Sequence, residues 1–383
     1  MTEAAAVTVE AFRRPRIKPE HRAYRTVDGN VRVGSVIHGI GAEIADPQGW
    51  VWTLVEAMDG TRGPSEVVAE VLRGHPELSG ADARQAMADL LAAGFVDDAG
   101  ASVPVPPREQ DRYSRGVPLL RWMDLAPRTS PWDAQLHLRE ARVLLIGVGG
   151  TGGHAAQALV ASGVGHVHCV DPDVVELSNL NRQPLYRESD LGRPKAEAAV
   201  ATLRALNSDV TVTAERREVR GPEDLAELVA ADGPDSLAYD LLVLAADRPD
   251  AIRRWTNRAC LAAGLSWVDA GYRGPLVTAG VYVPGQGACW ECLRDGEIAR
   301  RDLRLGPGQD PETASPRMPW NPASAVTAGL SGVLLAHAAL ALLTGIPALE
   351  PGFRFGVNLM LPGDPVHQRT PRHLDCPACG ERT

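Results

Sequence analysis

A chain of 383 residues exceeds one ordinary hydrophobic core, so two domains are expected, and 44% hydrophobic against 23% charged residues excludes wholesale disorder. Thirty-nine basic and 48 acidic residues leave a net charge of −9 without a long basic run, which argues against nucleic acid as a partner. The opening MTEAAAVTVEAFRRPRIKPE has no apolar stretch after a basic start, so no secretion signal is read and the expected location is cytoplasmic; six cysteines there point to metal binding or catalysis before disulfides.

Residues 1–20 mix charges around Pro15 and Pro19 and read as a loose tail. Residues 21–100 read as the first folded unit. In it AYRTVDGNVRVGS alternates apolar positions around Asp28-Gly29-Asn30, a hairpin signal. WVWTLVEAMDG follows as a helix stopped at Gly60. PSEVVAEVLRG places Pro64 at a helix start and Val67, Val68 and Val71 at helical spacing. A third helix, SGADARQAMADLLAAG, runs into GFVDDAG, a short returning strand. The order predicts a small winged-helix-like unit, with Trp50 and Trp52 in its core.

Residues 101–110, ASVPVPPREQ, carry three prolines and read as a semi-rigid linker. The second domain, 111–383, opens as strand, Gly-rich turn, helix, strand, the pattern of an α/β parallel sheet. Residues 295–319, charged and rich in Pro and Gly, read as a long loop. Ala323 to Leu343, apolar but broken by Ser331 and His337 and lacking a basic flank, reads as a buried core helix, so no membrane is expected.

Chemistry concentrates after the first strand of the second domain. In ARVLLIGVGGTGGHAAQALVASG, Gly147, Gly149, Gly150 and Gly152 give G-x-G-G-x-G at the turn into a helix. Glycines let the backbone approach phosphate, and the helix start supplies N–H donors. Alone, the turn suits a structural corner or a nicotinamide site as well. The next strand ends at Asp171, placed for ribose hydroxyls, and Asn179, Arg182 and Lys195 add an amide and two cations. Taken together they suit a triphosphate whose pyrophosphate must leave, and so point to ATP. Lys18 and Lys195 are the only lysines in an arginine-rich chain, a bias of genome composition that makes each retained lysine a candidate for a site that needs an ammonium.

Cys289-Trp-Glu-Cys292 and Cys376-Pro-Ala-Cys379 form two C-x-x-C pairs. Four thiolates suit one tetrahedral zinc, while the long separation leaves a redox pair open. Cys169, in an apolar strand, and Cys260, in a helix, are expected to be buried and inert. His166 and His168 point the same way on one strand without a third ligand and read as structural.

RYSR (112–115), GVGGTG, VDPDVVELSNLNRQ, GRPK and DLLVLAAD occur in that order. From Arg112 onward the chain resembles the E1-like adenylyltransferase superfamily, the ThiF/MoeB group that activates carboxyl termini. The resemblance implies a Rossmann-like doubly wound sheet, ribose on Asp171, and phosphates on Asn179, Arg182 and Lys195. It implies Mg²⁺ on Asp247, for which the residues alone leave open a helix N-cap before RPDAIRRW. It further implies a homodimer in which Arg115 reaches the neighbour's ATP site, and a structural zinc on Cys289, Cys292, Cys376 and Cys379 with no ligand position open for catalysis. The first unit resembles peptide-recognition domains of the PqqD type, and the whole layout is similar to microcin C-type peptide-adenylating enzymes. That likeness implies a leader peptide added as a strand to residues 21–100; an accessory dimerisation or stability domain is the alternative.

The expected function is ATP-dependent adenylation of the C-terminal carboxylate of a ribosomally made precursor peptide. Attack of the carboxylate on the α-phosphorus with loss of pyrophosphate is work of positioning and charge neutralisation, and needs no side-chain nucleophile. No cysteine lies between Cys292 and Cys376, so no enzyme thioester is expected and the acyl-adenylate passes on directly. The alternatives are activation of a ubiquitin-like sulfur carrier and a non-catalytic leader-binding partner of a cyclodehydratase. The intact Asp171, Arg182, Lys195 and Asp247 argue against the last.

Overall fold

The computed structural model describes residues 7–35, 40–230, 238–300, 304–309, 322–361 and 363–380. The chain divides into two compact units, Met1–His137 and Leu138–Thr383.

In the first unit β1 (Pro15–Ile17) precedes β2 (Tyr24–Arg25), β3 (Val31–Ser35) and β4 (Ile40–Ile44). The last three form an antiparallel sheet in that order, and the β2–β3 turn carries Gly29 at φ +84°, the left-handed geometry its Asp-Gly-Asn sequence predicts. Helices α1 (Trp50–Ala57), α2 (Pro64–Gly74) and α3 (Gly80–Ala92) follow, then β5 (Val96–Asp98). Proline opens α2, and Ser79 caps α3 by accepting from Asp82 N at 3.1 Å. Leu54, Met58, Val67, Val71 and Met87 fill the core, with Trp50 and Trp52 half-buried at its margin.

Two expectations about the ends of this unit change. From Pro15 the chain is no loose tail, because β1 pairs antiparallel with β5. The unit also runs beyond residue 100. Pro107–Arg112 is a short helix (α4), and α5 (Gly116–Met123) is tied back to the unit: buried Lys18 donates through Nζ to Asp124 O at 2.7 Å, and Arg121 pairs with Asp97 and Glu20. A buried ammonium persists only when hydrogen-bonded and surrounded by counter-charge, which Asp97, Glu20 and Asp124 supply. The division accordingly falls after His137, within α6 (Asp133–Glu140).

The second unit runs β6 (Arg142–Ile146), α7 (Gly150–Ala161), β7 (His166–Val170), α8 (Lys195–Leu206), β8 (Thr211–Glu215), α9 (Pro222–Val229), β9 (Leu241–Leu244), α10 (Ile252–Ala263) and β10 (Trp267–Arg273). It continues with β11 (Leu276–Tyr282), α11 (Trp290–Arg300), α12 (Ala325–Thr344), β12 (Phe353–Asn358) and β13 (Pro365–Arg369). The sheet order is β13-β12-β11-β10-β9-β6-β7-β8, parallel from β8 through β10 and antiparallel beyond. This is the doubly wound α/β sheet that the sequence predicts. Strands β6 and β9 read RVLLI and LLVL because helices cover both of their faces. From β6 the chain winds one way to β7 and β8, then returns to β9 and β10, so a crevice opens at the switch between β6 and β9.

Helix α12 is long and apolar enough to cross a membrane by length and composition, and half of it is buried inside the unit. It lies so close to α7 that a Cβ at Gly332 would sit 2.4 Å from that of His154, and Ser331 Oγ lies 3.0 Å from Thr151 Oγ1. Of the loop read at 295–319, residues up to Arg300 complete α11, while 301–303 and 310–321 lie outside the described residues.

Candidate active site

The C-terminal ends of the five parallel strands ring a cleft of about 1550 Å³. In sheet order its wall is Arg216–Arg220 after β8, Asp171–Val174 after β7, Gly147–Gly150 after β6, Ala245–Asp250 after β9, and Ala270–Tyr272 of β10. The glycine turn is shaped by close contacts. Gly147 takes φ +90°, and a Cβ on Gly152 would lie 1.9 Å from Gly147 O. Gly147, Gly149 and Gly150 line the cleft, whereas Gly152 faces the turn and lets α7 start close beneath it. The free N–H groups at the start of α7 make this the anion-accepting point of the fold.

Asp171 is buried at the end of β7, where its Oδ2 accepts from Val148 N at 2.9 Å and its Oδ1 from Asp173 N at 3.0 Å. Burial pushes its pKa up and the Lys195 ammonium pulls it back down. Lys195 is the first residue of α8, buried, with Nζ donating to Asp173 Oδ2 at 2.8 Å. Asn179 lines the cleft but spends its carbonyl locally, accepting from Glu176 N at 3.0 Å. Arg182 donates to Ser178 O at 2.8 Å and Asn181 Oδ1 at 3.0 Å, and it hydrogen-bonds Tyr272, whose hydroxyl burial pushes up. Asp247 is exposed on the loop after β9. The N-cap of α10 falls on Ala251, so Asp247 is not that cap and its carboxylate lies at the cleft.

Eight of the sequence-predicted residues thus share one cleft wall: Gly147, Gly149, Gly150, Asp171, Asn179, Arg182, Lys195 and Asp247. The start of α7 together with Arg182 and Lys195, with the Asp247 carboxylate at the same cleft, fits a nucleotide triphosphate with a divalent cation on Asp247. Arg115 lies in the first unit, exposed, at the N-cap of α5. Sequence reasoning missed Gln183, Tyr272 and Arg253. Gln183 lines the cleft with a buried Oε1 that has no hydrogen-bond partner among the described residues, and its place directly after Arg182 was the available signal.

Cys289, Cys292, Cys376 and Cys379 come together with all four sulfurs within 4.8 Å of one another. Three of the separations are 3.9, 3.7 and 3.6 Å. Thiolates at the usual zinc–sulfur distance on a tetrahedron stand about 3.8 Å apart, so the set fits one structural zinc. Asn257 Nδ2 lies 3.6 Å from Cys289 Sγ and anchors that loop, its Oδ1 accepting from Trp290 N. Cys169 and Cys260 are fully buried, and burial pushes the Cys169 thiol up to about 12, so neither is a poised nucleophile. His166 and His168 each hydrogen-bond Thr213 at 2.8 Å, a structural arrangement.

Comparison with known proteins supplies the context. The ThiF family pattern matches residues 123–378. Over 340 residues the chain is 33% identical to the cattle (Bos taurus) adenylyltransferase and sulfurtransferase MOCS3, covering 82% of this chain and only 64% of that protein. It is also 33% identical over 259 residues to the sulfur carrier protein ThiS adenylyltransferase of Bacillus subtilis, covering 65% of this chain and 68% of that one. Among solved structures, Escherichia coli MccB matches with a TM-score of 0.75 at 22% identity, over 96% of this chain and 97% of its own. MccB has also been solved with ATP and, as the microcin C7 biosynthetic enzyme, with N-formylated MccA.

Proposed function

This chain belongs to the ThiF family, and from that premise we propose that it is a cytoplasmic ATP-dependent adenylyltransferase acting on the C-terminal carboxylate of a ribosomally made precursor peptide. The observation that carries the reading is the joint placement of the Gly147–Gly150 turn, Asp171, Arg182, Lys195 and Asp247 at one topological switch point. In it Asp171 would hold the ribose, while the start of α7, Asn179, Arg182 and Lys195 would hold the phosphates. Mg²⁺ on Asp247 would neutralise charge on the departing pyrophosphate. The peptide carboxylate attacks the α-phosphorus in line, and Arg115 of a second copy would complete the charge neutralisation.

Activation of a sulfur-carrier protein is the second reading, favoured by the activity named for the Bacillus subtilis relative. Against it stand the absence of any cysteine between Cys292 and Cys376 and the burial of Cys169 and Cys260. With a precursor peptide as substrate, peptide-dependent ATP–pyrophosphate exchange is expected, and intact-mass spectrometry during turnover shows unmodified enzyme. A thiol-labile adduct on the chain overturns this in favour of sulfur-carrier chemistry; no exchange leaves the non-catalytic binding role.

The first unit supplies the leader site in this proposal, because the β2–β3–β4 sheet ends in strands that can accept a further strand. A peptide stripped of its leader is expected to show KM raised at least about tenfold, some 1.4 kcal/mol of lost binding. Amide exchange within residues 21–44 should slow only with the full peptide. Equal KM for both peptides defeats the leader role and leaves this unit an accessory.

A further inference from the structure

One wall of the cleft is built around a carboxylate that serves neither nucleotide nor zinc. Asp269 of β10 is 3% exposed. It accepts from Arg253 Nε at 2.9 Å, Arg354 Nη2 at 3.3 Å and Tyr282 OH at 3.1 Å. The facing residue on β11 is Gly280, where a Cβ would lie 2.5 Å from Asp269 Oδ1, so the glycine makes room for the group. Burying a carboxylate is costly, and three donors offset that cost. The result is a fixed Arg253. Its Nε edge is held by Asp269, its Nη2 reaches Ala270 O at 3.4 Å, and its Nη1 has no protein partner among the described residues.

Arg253 stands in the first turn of α10, and with Ala270, Gly271 and Tyr272 it forms the β10 side of the cleft. The order along the strand ends gives this position meaning. Asp171 lies after β7, the glycine turn after β6, Asp247 after β9, and Arg253 packs beside β10. Asp247, assigned to the cation of the departing pyrophosphate, thus stands between the glycine turn and Arg253, and the row closes on a guanidinium whose Nη1 has been given no nucleotide group. The attacking carboxylate is an anion that a planar guanidinium recognises, and Arg253 is held rigidly in the cleft wall with Nη1 unpartnered among the described residues.

We propose that Arg253, oriented by Asp269, binds the carboxylate of the acyl substrate before its attack. The assignment rests on the adenylation reading and adds a residue specific to the acyl partner. Asp269 is then a positioning residue, since it acts only through Arg253.

The test uses defined probes: an N-acetylated hexapeptide library with free C-terminal carboxylates and the same library amidated, each with α,β-methylene-ATP. Affinity selection on the whole protein should retain acids over amides by at least about tenfold, the value of one charge-assisted contact. Arg253→Gln should bring that ratio to about one and leave affinity for the nucleotide analogue within about twofold, while Arg253→Lys keeps part of the preference. Asp269 retains two donors in these variants, so the fold should persist, which an unchanged melting temperature verifies. An unchanged acid-to-amide ratio in Arg253→Gln overturns the proposal, as does loss of nucleotide affinity or a wild-type protein that retains neither library. Pyrophosphate exchange with the precursor peptide is read separately, so a failed exchange indicts the adenylation reading and a failed ratio indicts Arg253 alone.

Discussion

Lys195→Ala should yield a folded protein that forms AMP at least about 10³-fold more slowly, the scale of losing a charge aimed at developing negative charge in a dry site. The fold survives because Asp173 is 62% exposed in its side chain and returns to water, while buried Asp171 keeps its two backbone donors, Val148 N and Asp173 N. The activity does not survive, because no other side chain at the start of α8 can take up the ammonium's position. Lys195→Arg should recover little of the rate, since a planar guanidinium does not fit the 6% exposed site of a compact ammonium. Mixing Lys195→Ala with Arg115→Ala protein extends the test to the dimer: each inactive parent supplies what the other lacks, so hybrid dimers regain up to about a quarter of wild-type AMP formation. A Lys195→Ala enzyme with normal turnover refutes the nucleotide site, and a mixture no better than its parents refutes the shared arginine.

Loss of the zinc proposed for the cysteine cluster is the second large effect expected. Residues 371–375 are largely exposed, so the C-terminal segment is joined to the body mainly through Cys376 and Cys379 and the sulfurs they face. Structural zinc contributes folding energy directly, and Cys376→Ser should cost several kcal/mol and lower the melting temperature by about 10 °C or more. Strong chelation should reproduce that shift in the wild type, and metal analysis should find one zinc per chain. Hydrogen exchange would accelerate first in residues 371–380. An unchanged melting temperature with no zinc in the purified protein dismisses the metal and returns the two pairs to redox chemistry.

What the sequence made legible follows from how far apart the cooperating residues lie. The glycine turn and Asp171 lie directly at strand ends, and Asn179, Arg182 and Lys195 follow Asp171 in one continuous stretch that ends at the start of α8, so local pattern was enough to place them on the cleft. The parallel sheet was legible for the same reason, because β6 and β9 are continuous apolar runs. Arg253, Asp269 and Arg354 span two strands and a helix, and nothing local in RPDAIRRW or WVDAGYR announces that they share one carboxylate. The boundary of the first unit was hidden likewise. Its closing contacts, Lys18 with Asp124 and Arg121 with Asp97, link residues 106 and 24 positions apart, whereas the prolines of 101–110 gave a strong local signal for a linker.

Both lysines of this chain are buried, one beneath α5 and one at the head of α8. Reagents that acylate primary amines therefore find only these two side-chain amines in the protein, since the arginine guanidinium groups are left untouched. Of the two side-chain amines, that of Lys195 lines the cleft, which a bound nucleotide would fill. The degree of acylation at this single residue becomes a direct readout of cleft occupancy, obtained without a tag, a reporter or a chromogenic substrate.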